Sequence, residues 1–365
     1  MRPIALLCLT IAFTAAAQTP PSPPPDTLVL KDGEKLIGHL VRSTDTSVRF
    51  ASDVLGDVTV DWSKVQELQS SSQYAVIPKS VTLGRKPDVS GVPKGTVSVA
   101  DDKVTVGGAA PQTMALTNVA HVISEPAFEK AITGQPGFFH AWHGSITAGA
   151  AIVQATQDSQ SYTGSIALVR AVPAEDWLAR RNRTTLDFSE TYGLVSQPGT
   201  PSVKTSLLHG DLERDEYLTR SVYVFAAGAW DHNYSQGLIL QQTYGGGFGW
   251  SVLHQPKRSL DLKVAGTYVR QEFYTMTRDL GSILFDEKYS QIFAHGITFT
   301  QEALVLPSLT DTKALSAMGS AGLAVPAYKR LSLNFNVVDN WLNDPAVGFK
   351  KNSLAFTTGL TYVLP

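Results

Sequence analysis

From Trp142 to Leu364 the chain repeats one pattern. Apolar and polar residues alternate with a period of two, in segments of about 9 to 13 residues separated by turn residues. Leu260, Leu262, Val264 and Tyr268 share one parity while Asp261, Lys263, Ala265 and Thr267 occupy the other. Near the end, Leu331, Leu333, Phe335 and Val337 alternate with Ser332, Asn334 and Asn336. After a turn through Asn343 to Asn352, Leu354, Phe356, Leu360, Tyr362 and Leu364 again share a parity, broken only by Thr358. An apolar strand of this kind exposes a full row of backbone donors and acceptors, so it must be paired on its edges and covered on its greasy face. This constrains the chain to an all-β body closed by its last strand.

Twelve such segments can be counted, and their length suits a tilted crossing of a bilayer. Alternation alone leaves two architectures open. Asp261 and Lys263 must face water or each other, because unpaired buried charge costs several kcal/mol. In a soluble sandwich that places them outside; in a membrane barrel it places them inside. The membrane reading draws on the absence of a helical period over roughly 220 residues, the low charge content and the aromatic residues at segment ends. Trp142, Trp230, Trp250, Tyr268 and Tyr362 are the candidates for an interfacial girdle. The expected body, 141–365, is a twelve-stranded antiparallel transmembrane β-barrel. Its outer loops, all short, are placed near Thr156–Gln160, Pro198–Pro201, Asn233–Gly237, Met276–Ser282, Pro307–Asp311 and Asn343–Lys350.

Charged residues make up 17% of the 365 positions, against roughly 25% in soluble domains, and the formal net charge is -2. That balance excludes a nucleic-acid partner. Arg2, the apolar run from Ile4 to Phe13 and the alanines before Gln18 have the layout of a signal peptide over 1–17, too short for a spanning anchor. The only cysteine, Cys8, lies inside it, so no exported thiol is expected for disulfide, metal or nucleophilic use. A proline-rich linker over 18–25 follows.

Between Asp26 and Ser124, short alternating stretches punctuated by Asp32-Gly33, Asp45 and Gly56 suggest a small β meander, and a related pattern recurs about 54 residues later. Trp62, Val65 and Leu68 fall opposite Leu116, Val119 and Val122. This predicts two small SH3-like or Sm-like β modules, 26–70 and 71–125, then a short helix and hinge over 126–140. An even strand count puts these modules and the carboxyl end on the same side of the membrane, the periplasm.

The segment order, the motifs VLKDGEKLIGHL and VTVDWSKV, the first strand WHGSITAGAAI, the turn PSLTD and the terminal NDPAVGFKKN before LAFTTGLTYVL resemble proteins grouped as domain of unknown function 481. Some of these carry the label salt-induced outer membrane protein. The resemblance covers about Trp142 to Leu364 and implies a twelve-stranded outer-membrane barrel; it supplies no catalytic residues.

Chemistry-bearing motifs are sparse. His140 and His143 have a metal-like spacing but sit at a strand entrance, and no Gly-x-Ser-x-Gly elbow accompanies His209, His232, His254 or His295. Tyr244-Gly-Gly-Gly-Phe-Gly lacks the Lys and helix of a phosphate loop, so its glycines are read as bending the wall or packing it tightly. Asp211, Glu213 and Asp215 share a parity, either as a lumenal acidic row or as a solvated strand end, and Asp261 with Lys263 joins them as possible lumenal charge. No catalytic, cofactor or metal site is expected. The partners expected are outer-membrane lipid, the barrel-insertion machinery and a periplasmic protein or peptidoglycan. The leading function is an envelope structural protein or narrow pore without enzymatic activity. Alternatives are a membrane-embedded lipid-active hydrolase and a secreted soluble all-β binding protein.

Overall fold

The computed structural model describes residues 24–364 apart from 82, 85–86, 109, 135–136, 154–157, 176, 198 and 200. The signal segment and most of the proline linker lie outside the described residues. The chain forms two units, one of residues 24–81 and 89–130, the other of residues 83–88 and everything from Ala131 onward.

The first unit is a nine-stranded antiparallel sheet: β1 (Asp26–Leu30), β2 (Lys35–Ser43), β3 (Ser47–Ser52), β4 (Gly56–Asp61), β5 (Val65–Pro78), β6 (Lys94–Ala100), β7 (Lys103–Gly107), β8 (Gln112–Ala115) and β9 (Val119–Ser124). A helix, α1 (Glu125–Thr133), follows. Strand order recurs within this sheet. The order β4-β3-β2-β1-β5 is matched by β8-β7-β6-β5-β9, and a single 3-10 turn precedes the last strand of each, at Trp62–Lys64 and Leu116–Asn118. The two halves share β5. Its first part pairs with β1 and its second with β9, across a register shift between Gln69 and Gln73. The predicted boundary at 70/71 therefore falls inside a strand, and Leu28, Phe50 and Leu68 share one apolar core with Val97, Val104 and Val122.

Beside that core lies buried Asp26. Its carboxylate accepts the Leu40 N–H at 2.7 Å and the Ser70 hydroxyl, and Tyr74 donates its phenolic O–H to the Leu40 carbonyl at 2.7 Å. Burial pushes the Tyr74 phenol up to about 12 from its ordinary 10.0.

The second unit is a closed barrel of β10 (Trp142–Val153), β11 (Asp158–Val172), β12 (Asn182–Ser196), β13 (Val203–Tyr217), β14 (Val222–Asn233), β15 (Leu238–Gln255), β16 (Arg258–Phe273), β17 (Thr277–Ile292), β18 (Thr298–Pro307), β19 (Leu315–Tyr328), β20 (Leu331–Leu342) and β21 (Asn352–Val363). Every strand pairs antiparallel with its sequence neighbour, and β21 returns to β10. Strands β10 begins and β21 ends at what is termed here the terminal end; the opposite end is the far end.

Parity decides the faces. Ile146, Phe188, Leu212, Phe248, Val264, Phe285, Leu333, Phe335 and Leu360 point outward and are exposed, whereas Asp215, Lys263, Gln271, Asp286 and Thr361 point inward and are buried. This is the reverse of a soluble sandwich and is the arrangement of an outer-membrane barrel. Two details depart from expectation. Strands β15, β16 and β17 run to 18, 16 and 16 residues, longer than a crossing requires. The loop expected at Met276–Ser282 is largely strand, because Arg278, Asp279 and Leu280 continue the ladder against Gln271, Arg270 and Val269. The extension lies past the apolar band: the outward residues there are Arg270, which pairs with Glu272 at 3.0 Å, and Asp279, which accepts from Tyr268 at 2.6 Å.

Two outcomes are expected. Phe335→Arg sets a charge on the lipid face and should cost about 2 to 4 kcal/mol in urea unfolding from vesicles, while Asn336→Arg, facing the lumen, should cost far less. Unfolded Tyr74 ionises near 10 and folded Tyr74 near 12, so the first unit should lose stability between pH 10 and 12, by about 3 kcal/mol at most. Hydrogen-exchange protection of β1 and β5 in the full chain should show that alkaline loss, and Tyr74→Phe should flatten it.

Candidate functional site: the barrel lumen

The lumen is not uniform. Along β12 to β17 it is packed with rings and paired ions. Tyr217, Tyr223, Phe225 and Ala265 form an apolar cluster inside the wall. Tyr223 lies where a Cβ at Gly249 would stand, so the glycines of Tyr244-Gly-Gly-Gly-Phe-Gly let an aromatic ring lie flat against β15. The Arg183 guanidinium sits 5.3 Å from the Tyr223 ring centre and reaches two carboxylates, Asp215 at 2.6 Å and Asp261 at 2.7 Å. One layer further in, Lys263 bridges Glu213 at 2.8 Å and Asp286 at 3.2 Å, with its ammonium 5.6 Å from the Phe225 ring.

Midway, His209 is held between Asp231 at 2.6 Å and Asp211 at 3.2 Å. Lys288 pairs with Glu302 at 3.0 Å. Asp187 stands directly opposite Asp211 in the β12–β13 register, an unfavourable like-charge pairing. Removing one member of such a buried set is costly, since it strands the other.

The other half of the wall is different in kind. Ser145, Thr147, Thr163, Ser165, Thr300, Ser316, Ser320, Asn334, Asn336 and Thr357 present small hydroxyl and amide groups. Between the two halves is a cavity of about 740 Å³. Carboxylates outnumber cationic groups along it, with Asp187, Asp211, Glu213, Asp231, Asp261, Asp286 and Glu302 facing Arg183, Lys263 and Lys288.

At the far end the mouth is crossed by its own loops. The β14–β15 and β20–β21 turns lie six strands apart in a ring of twelve, hence on opposite sides. Buried Gln236 nevertheless donates its amide to the carbonyls of Asn340 at 3.0 Å and Lys351 at 2.6 Å. Its own carbonyl oxygen accepts from Asn233 at 2.9 Å. Leu238, Phe273, Leu342 and Ala346 bury an apolar knot beneath. Gly237 has φ +67°, and a side chain there would run into Ala346 and Phe349, so this close approach needs glycine twice over. Arg278 clamps Asp344 through its carboxylate at 2.7 Å and its carbonyl at 2.9 Å, and donates to Gln271 at 2.6 Å. Tyr274 stacks on Phe349 with centroids 6.3 Å apart.

Of the residues singled out from the sequence, Asp211, Glu213, Asp261 and Lys263 line this cavity, and Asp215 is fully buried against Arg183. Trp142, Trp250 and Tyr362 lie toward the terminal end, where Trp250 pairs with Val222 and Tyr362 with Ile146. Trp230 and Tyr268 lie toward the far end, Trp230 donating to Tyr244 at 3.1 Å. His143 is the second residue of β10 and His140 lies two residues before that strand, and among the described residues no group of three His, Cys, Asp or Glu side chains gathers as metal ligands. Sequence reasoning missed Arg183, Asp286, Lys288, Glu302 and the whole Gln236–Arg278 latch. Parity on β12, β17 and β18 could have found the first four; nothing local marks the latch, whose members are brought together across the mouth.

Solved structures similar to the chain are barrels. The translocator domain of the autotransporter NalP from Neisseria meningitidis is 11% identical, with 65% of this chain and 94% of that one covered at a TM-score of 0.33. The β domain of the Bordetella autotransporter BrkA is 13% identical, covering 61% and 98% at 0.29. BamA from Haemophilus ducreyi, lacking POTRA domains 1–3, is 8% identical, covering 87% and 75% at 0.23. At those scores the barrel assignment rests on the strand pairing described above. No curated protein matches the chain. The match that does extend along the barrel is to a family, over residues 146–364, and the chain belongs to it: Protein of unknown function, DUF481.

Proposed function

We propose that the chain is an outer-membrane protein whose barrel is a narrow, normally latched passage for small polar solutes, preferring cations, with its first unit in the periplasm. The observation that carries this is the pairing of a cavity of about 740 Å³, rich in carboxylates, with a far mouth crossed by Gln236, Arg278 and Asp344. The cross-mouth latch argues against a wide, permanently open pore, and the excess of carboxylates along the cavity favours cations. A twelve-stranded ring has room for a slender path beside the packed β12–β17 wall.

The reading is non-enzymatic. His209, the histidine best placed in the lumen, is committed to two carboxylates, which supports a structural rather than a basic role. For the first unit, the SH3-like reading and a docking role toward a periplasmic protein or peptidoglycan are supported by the repeated strand order and by the sheet's ends at β4 and β8, whose outer edges suit strand addition. Membrane lipid and the barrel-insertion machinery complete the expected partners.

Planar-bilayer recording tests the passage. Wild-type protein should conduct rarely, and Gln236→Ala combined with Arg278→Ala should raise the open fraction several-fold. A salt gradient should give a reversal potential of cation-preferring sign. Unchanged conductance in the latch variant, or recovery of the protein in the soluble periplasm, would remove the proposal.

A further inference from the structure

The barrel is closed unevenly. Strands β10 and β11 are in register over the whole of β10, from Trp142↔Arg170 to Val153↔Ser159. Strands β10 and β21 are in register for only four rungs, Ser145↔Val363 to Ala148↔Leu360. Among the described residues the ladder stops there, leaving Ala150–Val153 and Ala355–Thr358 without rungs between their facing edges. The contact does not end abruptly: a Cβ on Gly149 would run into the Thr358 carbonyl oxygen, so the strands still touch one residue past the last rung.

Exposure marks the same place. Leu354, Phe356 and Ile152 are 69%, 66% and 58% exposed, near or above the top of the range for outward residues in fully paired strands, among which Val337 is at 37% and Phe248 at 60%. The cavity reaches this seam, because Ser145, Thr147, Ala355, Thr357, Thr358 and Gly359 all line it. Leu354 and Phe356 belong to the outward apolar row of β21, so the unpaired stretch lies at hydrocarbon depth. Open backbone edges at that depth are tolerated only where they border a polar cavity or are covered.

We propose that the far half of the β10–β21 seam is a lateral opening through which a zwitterionic phospholipid of the surrounding membrane places its headgroup in the lumen. Its acyl chains stay outside, against Ile152, Leu354 and Phe356. The hydroxyls of Thr163 and Thr357 meet the headgroup first, and Asp187, which has no ion-pair partner among the described residues, faces its ammonium from two strands further round. The latched far mouth makes the seam the more direct route into the cavity from the side of the bilayer. A cavity of about 740 Å³ is within the range, roughly 300 to 1,000 Å³, that holds a ligand of headgroup size. An added β-strand is the less fitting occupant. It needs two interstrand spacings, roughly 9.6 Å, and the strands are still in contact at Gly149.

This inference rests on the membrane reading of the barrel, and the test separates the two. The sequence has a single cysteine, Cys8, so a Cys8→Ser background accepts one fluorophore at a chosen site. Labels are placed on Phe335→Cys, facing outward, and on Thr357→Cys or Ala355→Cys, facing inward, in phosphatidylethanolamine vesicles containing doxyl-labelled phosphatidylcholine. The expected result is quenching by the doxyl lipid at all three, with the inward sites losing at least half the fraction lost at Phe335. Quenching at Phe335 with inward sites reached only by aqueous iodide overturns the lateral opening and leaves the membrane barrel standing. Inward sites shielded from both quenchers overturn it in favour of a protein strand in the seam. Absence of doxyl quenching at Phe335 overturns both readings. Two inward positions guard against one variant failing to fold, and heat-modifiable gel mobility checks each.

Discussion

A peptide group in hydrocarbon has no water to fall back on. Every N–H and C=O on the outward row must therefore be paired with a neighbouring strand, and a sheet achieves this all round only by closing on itself. The β10–β21 return is thus the contact on which the second unit depends. Eleven other strand junctions are hairpin neighbours that form locally; this one joins residues more than 200 positions apart and is the shortest in register. The fewest rungs and the longest closure fall in the same place, where the cavity reaches the seam.

Closure also determines what the interior must do. A ring of twelve strands encloses more space than one layer of side chains can fill, and β12 to β17 respond with aromatic rings and long ionic side chains, while β18 to β21 and β10 to β11 carry serines, threonines and asparagines. Charges placed inside cannot be left single. Arg183 and Lys263 each serve two carboxylates, one directly opposite on the neighbouring strand (Asp215, Asp286) and one across the lumen (Asp261, Glu213), which ties β12, β13, β16 and β17 together both along the wall and across it. The interglycine stretch of β15 belongs to the same solution, since it makes room for Tyr223. At the far end, Gln236 joins loops from opposite sides through backbone carbonyls, so the latch depends on loop position more than on side-chain identity at its receiving end.

Much of the architecture was legible because a strand writes its two faces into alternate residues. Asp261 and Lys263 flanked by Leu260, Leu262 and Val264 state that one face is wet and the other is not. The repeat in the first unit was legible for a similar reason, from Trp62 and Leu116 ahead of matched strands, although the shared β5 was not: a strand that serves two neighbours in succession carries no local mark of where one pairing gives way to the other. Strand ends were read short where Arg270 and Asp279 interrupt the apolar row, because polar residues past a membrane edge look like turn residues in a linear text.

What the sequence alone determined is the all-β body, the twelve crossings and which residues share a face, since side-chain parity follows from backbone geometry and needs no knowledge of partners. What only the tertiary structure decided is which face is inside, which ions meet and where the ring is latched or loosely joined. Pairings such as Arg183 with Asp261, Gln236 with Lys351, and Ala148 opposite Leu360 depend on how a closed ring brings distant strands together, and that relation is a property of the circle rather than of any stretch of chain.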